Sequence, residues 1–196
     1  MSEAALALKI CGLTDHSQAC SIAAMGVQAI GVIGVDKTPR FVSEPLRRAI
    51  FTELEKLYPD VERVWVVADP SDHAIQSALQ GDGTPTIVQL HGSETPERCL
   101  QLKQQHPAVR WWKALRLRTA DDLSELNSFE SHTDALLLDA WSPHQLGGTG
   151  HRLDPSWFTH LHHQLQVQSM PPHPRVVLEL NLHIPVLRQL LGVQKQ

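Results

Sequence analysis

Cysteines and surplus basic charge are both scarce in this sequence, and each scarcity argues against a class of protein. The 196 residues include three cysteines, an odd and widely spaced set that favours a reducing compartment over a disulfide framework. The net charge of -4 offers no basic field for nucleic acid. Residues 1–9 lack the pattern of a signal peptide, and no apolar run reaches the roughly 18 residues of a membrane helix. We expect one globular, cytoplasmic domain over residues 1–196, without nucleic-acid or membrane partners.

Histidine, in contrast, is abundant, with 12 residues. His160, His162 and His163 lie in one stretch, but their spacing is not that of a metal site. A solvated face explains them better, and we expect no metal.

Short apolar runs alternate with capped helical stretches along the chain, which predicts an α/β fold with a parallel sheet. Several of the runs are apolar almost throughout, as in strands buried on both faces. A doubly wound open sheet and a barrel both fit, since periodicity does not choose between them. The sequence has neither a GxGxxG motif after its first strand nor a P-loop. Strands are predicted at 6–10, 29–35, 64–68, 86–90, 111–117, 135–139 and 176–180, with helix starts at Asp15, Ser43, Ser71, Thr95, Thr119 and Asp154 and a final helix over 185–191.

The helix after Ser43 is predicted to bury one apolar face. Its apolar residues fall at helical spacing, so we expect this face to pack on the sheet. The residues of this predicted face are Leu46, Ala49, Ile50, Leu54 and Leu57.

Polar side chains gather at the predicted carboxyl ends of the strands, where parallel α/β folds bind ligands. Each has an ordinary structural role when taken alone, because a strand-end cysteine is usually a small buried hydrophobe and a strand-end aspartate often caps a turn. Their convergence on one face indicates a site. The strand-end groups are Cys11, Arg40, His91, the segment from Lys113 to Arg116, and Asp139.

The segments around these residues resemble, in order and spacing, the signatures of the phosphoribosylanthranilate isomerase family. The matching segments are KICGLT, KTPRFVS, VQLHGSETPE, KALRLR and LLLDAWSPHQLGGTG. The resemblance covers residues 9–154 and implies a (βα)8 TIM barrel rather than an open sheet. It further implies an isomerase of tryptophan biosynthesis that converts a phosphorylated small molecule, N-(5-phosphoribosyl)anthranilate, to its deoxyribulose phosphate isomer by an Amadori rearrangement, with no cofactor.

The resemblance also implies roles for individual residues. Opening the ribose ring needs an acid, and proton removal from the adjacent carbon needs a base. By resemblance Asp139 is the acid and Cys11 the base. We expect burial to raise the pKa of Asp139, and nearby positive charge from Lys9 and Arg40 to lower that of Cys11. Arg40 also suits the anthranilate carboxylate, because a guanidinium binds a carboxylate in a bidentate manner.

The remaining expected site residues bind substrate. His91 lines the site in the family's pattern. Gly147, Gly148 and Gly150 form a flexible loop that is expected to close over the substrate.

The C-terminal segment, residues 170–196, departs from the family pattern. Glu179 and Leu180 stand where the family has a glycine pair whose backbone approaches the phosphate. No motif of the eighth βα unit follows, so we expect a barrel that lacks this unit and binds phosphate weakly. Two alternatives to an active isomerase therefore stay open. One is a degenerate, non-catalytic barrel that binds a ligand or protein partner, and the other is a different enzyme on the same scaffold. The sequence does not predict an oligomeric state.

Overall fold

The computed structural model describes residues 8–36, 38–140 and 157, together with the backbone of 175–178. Within them, strands and helices alternate as expected. The strands are β1 (Lys9–Cys11), β2 (Ala29–Ile33), β3 (Glu62–Val67), β4 (Ile87–Leu90), β5 (Arg110–Leu117), β6 (Ala135–Ala140) and β7 (Arg175–Leu178). The helices are α1 (His16–Ala23), α2 (Glu44–Leu57), α3 (Asp72–Ala78), α4 (Pro96–Gln105), a 3₁₀ turn (Ala120–Glu125) and α5 (Leu126–Phe129). None of these described helices combines the length and apolarity needed to cross a bilayer.

All seven strands pair in parallel, and their order in the sheet is their order in the chain. Right-handed crossovers between successive neighbours place every helix on the same face of a sheet. A doubly wound sheet instead reverses its strand order and carries helices on both faces. The arrangement is therefore that of the (βα) barrel, and the open-sheet alternative is wrong.

Two apolar clusters divide the strand side chains between the two faces of the sheet. The larger cluster joins the strands to the helices and includes Ile30, Trp65 and Leu115. The smaller one comprises Ala29, Ile33, Val64, Val66 and Ile87, with Cys11, Val35 and Trp112 packed against it. Side chains alternate between the two faces of the sheet along a strand. A strand residue two positions from a member of one cluster therefore lies on the same face as that cluster. The smaller cluster fills the barrel interior.

Side-chain caps account for where several helices begin. Asp15 accepts a hydrogen bond from the Gln18 N–H at 3.0 Å, and Ser71 and Thr95 accept from the N–H groups three residues later. Each of these side chains satisfies a backbone donor that has no partner within its helix. The predicted starts of α1, α3 and α4 are confirmed.

The predicted buried face of α2 is wrong in part. Leu46, Ala49 and Leu57 are exposed, whereas Arg47 lies in the buried stripe and is 1% exposed. The Arg47 guanidinium lies 5.6 Å from the Phe51 ring centroid and 5.1 Å from that of Trp65. These ring contacts compensate in part for burying a charge, and burial lowers the pKa of Arg47 to about 10. The stripe has ordinary helical spacing, but one of its members is an arginine.

The predicted divergent segment 170–196 and the expected lack of an eighth unit fall almost wholly outside the described residues. So do the predicted helices at 154 and 185–191, apart from Trp157, which is helical and packs against the larger apolar cluster. These expectations stay predictions.

Candidate active site

Cys11 and Asp139 both lie on the interior face of the sheet, near the carboxyl ends of β1 and β6. Cys11 is half-buried and packs against the interior cluster. Asp139 is 7% exposed. Lys9 precedes Cys11 by two positions and so shares its face, and it is also buried. The structure therefore brings the predicted acid and base to one end of the barrel interior.

His91 contacts Asp139 directly. Its Nε2 lies 3.2 Å from Asp139 Oδ2, and its Nδ1 lies 3.1 Å from the amide nitrogen of Gln89. The three side chains are buried. His91 follows β4, whereas Asp139 is on β6, so their contact passes over the intervening strand β5. The register pairs Asp139 with Arg116 of that strand, and Ala114, two positions earlier, lies on the same interior face.

Arg40 lies over Gly12, the residue after Cys11. A β-carbon at Gly12 would come within 2.7 Å of Arg40 Cδ and Nη1. Gly12 also has φ of +81°, a conformation that favours glycine. The positive φ favours glycine at position 12, and the absence of a side chain there leaves room for the Arg40 guanidinium beside the end of β1. This placement agrees with the expectation of positive charge near Cys11.

Lys113 does not point into the site, contrary to what its place among the strand-end residues suggested. It belongs to the outward-facing set of β5, and its Nζ donates to Glu94 Oε2 at 2.7 Å and to the Gly92 carbonyl at 2.8 Å. Both charged side chains are almost fully buried, at 3% and 2% exposure. Sequence alone did not show this orientation, because both faces of β5 are buried and a period of two is not visible.

The Lys113–Glu94 pair fixes the loop that follows His91. Glu94 accepts hydrogen bonds from the N–H groups of Gly92 and Asp69 at 3.0 and 2.7 Å. Asp69 in turn accepts from the Ser93 N–H at 2.8 Å. These hydrogen bonds connect the loop after β3 to the loop after β4, just after His91 in the chain. Glu94 was not among the predicted site residues, although it is a charged residue three positions after a strand-end histidine.

The glycine loop lies outside the described residues, so the predicted roles of Gly147, Gly148 and Gly150 stay predictions. Within the described part of the chain, no group of three or more His, Cys, Asp or Glu side chains is arranged to hold a metal ion.

Gly31 provides the space that the Cys11 thiol occupies. It pairs with Cys11 in the register, and a β-carbon there would lie 2.6 Å from Cys11 Sγ. We expect Gly31→Ala to displace the thiol and lower kcat/KM by about a hundredfold, because small misplacements of reacting groups have effects of that size. Steady-state kinetics of the two proteins measures it.

Gly26→Ala is the matched control for this prediction. Gly26 has φ of +83° with no atom within 4 Å of a β-carbon, so alanine there adds backbone strain away from the site. This variant should lose stability and keep its kcat/KM. Unchanged kinetics in Gly31→Ala would contradict the steric role of Gly31.

Comparison with known proteins identifies the family. Residues 8–168 match the family model described as N-(5'-phosphoribosyl)anthranilate (PRA) isomerase. The isomerase of Synechococcus elongatus is 42% identical over 149 residues, which are 76% of this chain and 68% of that protein. The isomerase of Synechococcus sp. strain JA-3-3Ab is 44% identical over 76% of this chain and 64% of its own length. The chain thus spans about two thirds of the length of these relatives.

Solved structures agree with the sequence relatives. The crystal structure of phosphoribosyl anthranilate isomerase from Thermus thermophilus has a TM-score of 0.70 and 25% identity, over 95% of this chain and 82% of that one. A second isomerase structure is a complex with reduced 1-(o-carboxyphenylamino)-1-deoxyribulose 5-phosphate. It has a TM-score of 0.62 and 26% identity, over 70% of this chain and 66% of that one. Together with the barrel arrangement and the strand-end residues, these matches show that the chain belongs to the N-(5'-phosphoribosyl)anthranilate isomerase family, enzymes of tryptophan biosynthesis.

Proposed function

We propose that this chain converts N-(5'-phosphoribosyl)anthranilate to 1-(2-carboxyphenylamino)-1-deoxyribulose 5-phosphate, with Asp139 as the acid and Cys11 as the base. The observation that carries the proposal is the placement of both groups on the interior face of the sheet, at the carboxyl ends of their strands. A related structure holds a reduced form of the product, and barrel enzymes bind their substrates at this end.

Each residue has one task in this mechanism. Asp139 gives a proton to the ribose ring oxygen as the bond from that oxygen to C1 breaks, and the anthranilate nitrogen forms a double bond to C1. The Cys11 thiolate then removes the proton from C2, which gives the enol-amine that becomes the ketone. Arg40, seated over Gly12, is placed to bind the anthranilate carboxylate through its guanidinium fork.

The three cysteines allow a direct test of which thiol is activated. Burial raises the pKa of Cys99 to about 11, and burial also raises that of Cys20. A thiol with a raised pKa keeps its proton at neutral pH, and the thiolate is the nucleophile. We therefore expect iodoacetamide at pH 7.5 to modify Cys11 first, and the reduced product analogue to protect it. Peptide mass spectrometry gives the order of modification.

Arg40→Met supplies the control for the alkylation experiment. It removes the positive charge beside Cys11 and keeps much of the side-chain volume, so the modification of Cys11 should slow while that of Cys20 stays the same. Modification of Cys20 ahead of Cys11, or no protection by the analogue, would contradict the assignment of Cys11.

Turnover decides between this function and the non-catalytic barrel that the sequence left open. The assay is conversion of N-(5'-phosphoribosyl)anthranilate by the purified full chain, with growth of a tryptophan auxotroph lacking this isomerase as the cellular counterpart. Activity that disappears in Cys11→Ala supports the proposal. Binding of the product analogue without any turnover would favour the non-catalytic alternative. We further propose a cytoplasmic location, from the free cysteines and the nature of the reaction.

A further inference from the structure

Gln89 is a buried polar residue to which the mechanism above gives no task. It is 0% exposed and lies on β4, two positions before His91, so both side chains face the barrel interior. A glutamine within a strand otherwise made of apolar residues costs desolvation energy unless it is hydrogen-bonded. Its amide nitrogen lies 3.1 Å from His91 Nδ1.

The orientation of the Gln89 amide in this contact indicates which ring nitrogen of His91 bears hydrogen. An amide nitrogen donates hydrogen bonds and accepts none, so Nδ1 must present a lone pair to it. The hydrogen of the neutral imidazole is then on Nε2, which lies 3.2 Å from Asp139 Oδ2. The hydrogen-bond direction therefore runs from Gln89 through His91 to Asp139.

The direction of this chain has a consequence for the proton on Asp139. When Nε2–H donates to Oδ2, a proton on Oδ2 would face another hydrogen, so the acid's proton belongs on Oδ1. After that proton is given to the ring oxygen, the same Nε2–H donates to the carboxylate that remains. Hydrogen bonds to ionised carboxylates are the stronger kind, and this one gains strength as the charge forms.

We propose that Gln89 is a positioning residue for the acid of this reaction: its amide holds His91 in the Nε2–H tautomer, so that the transferable proton of Asp139 is on Oδ1. The inference rests on the proposed function for the role of Asp139. Gln89 acts on the acid through the imidazole of His91.

The test uses Gln89→Met, which has nearly the same volume and cannot form the hydrogen bond. We expect kcat to fall about tenfold to a hundredfold, less than the full effect of about 10²–10⁴ of a general acid or base, because the acid itself is still present, with KM changed less than about threefold. Leu90→Met is the matched control, since it is a volume-conserving change on the outward face of the same strand. Its kcat should stay within about twofold of the unmodified chain.

Nitrogen-15 NMR of histidine-labelled protein measures the tautomer itself, with the His91 signals assigned by their loss in His91→Asn. In the unmodified chain we expect Nδ1 to be unprotonated and Nε2 protonated, and in Gln89→Met a mixture of tautomers. A protonated Nδ1 in the unmodified chain, or an unchanged tautomer and kcat in Gln89→Met, would overturn the inference. The NMR result does not depend on turnover. A chain that shows the expected tautomer but no turnover would overturn the proposed function, and with it the catalytic part of this inference.

Discussion

Replacing either member of the acid–base pair is expected to abolish most of the turnover of this chain. Cys11→Ala removes the proposed base and Asp139→Asn removes the proposed acid, and such groups contribute about 10²–10⁴ each to the rate. The fold should survive both changes. Cys11 is only half-buried, and an asparagine carbonyl oxygen at position 139 still accepts the hydrogen bond from His91.

The measurement is kcat and KM for each variant, beside a thermal melt. Cys20→Ala is the control, because it deletes a thiol on α1, away from the interior cluster. We expect kcat to fall by at least a hundredfold in both site variants and to change less than about twofold in the control. Turnover at the original level in either Cys11→Ala or Asp139→Asn would refute the assignment of that residue.

The second large effect is on stability, at the buried ion pair between Lys113 and Glu94. Lys113→Met leaves the Glu94 carboxylate buried with two backbone N–H donors but no counter-charge. Removing one partner of a buried pair destabilises a protein by about 3–5 kcal/mol, because the remaining charge is uncompensated. For a domain of this size we expect Tm to fall by roughly 6–20 °C. Calorimetry or a circular-dichroism melt measures the change.

Arg110→Met provides the matched control on the same strand. Arg110 pairs with Glu62 at the surface, and its side chain is 47% exposed. Exposed pairs contribute only about 0–1 kcal/mol, so this variant should melt within a few degrees of the unmodified chain. An equal fall in Tm in the two variants would show that loss of the buried Lys113–Glu94 pair costs no more stability than loss of an exposed pair.

The positions of the site residues could be predicted from sequence better than the orientation and burial of the side chains around them. The placement of Cys11, His91 and Asp139 at one end of the sheet could be predicted because parallel strands bring their carboxyl ends together whichever barrel or sheet they form. The direction of Lys113 could not be found, since burial of both faces removes the alternation that would distinguish it from Ala114. Arg47 was missed for a related reason. A pattern based on apolar residues passes over an arginine whose guanidinium packs on aromatic rings.

The importance of Gly31 and Gln89 depends on neighbours that are distant in the sequence. In the sequence, Gly31 is a residue of low strand propensity with no evident role. Its role follows from the register, which places the Cys11 thiol against it. Gln89 could be noticed as a polar residue in an apolar strand, but its partner nitrogen on His91 is known only from the distances. The supporting residues could therefore be identified only from the tertiary structure, whereas the residues that we propose to react could be named from the sequence.

The order of strands in the sheet also has a consequence for how the chain is made. Each of β2 to β7 pairs with the strand synthesised just before it, so the first partner of each of these strands is already present when the strand is made. Contacts between segments close in sequence form faster than those between distant ones, and chains fold from the N-terminus as they leave the ribosome. We expect the sheet to grow one strand at a time during translation. Under this order, Cys11 and Gly31 meet early, whereas the contact of His91 with Asp139 forms only after β6 has been added.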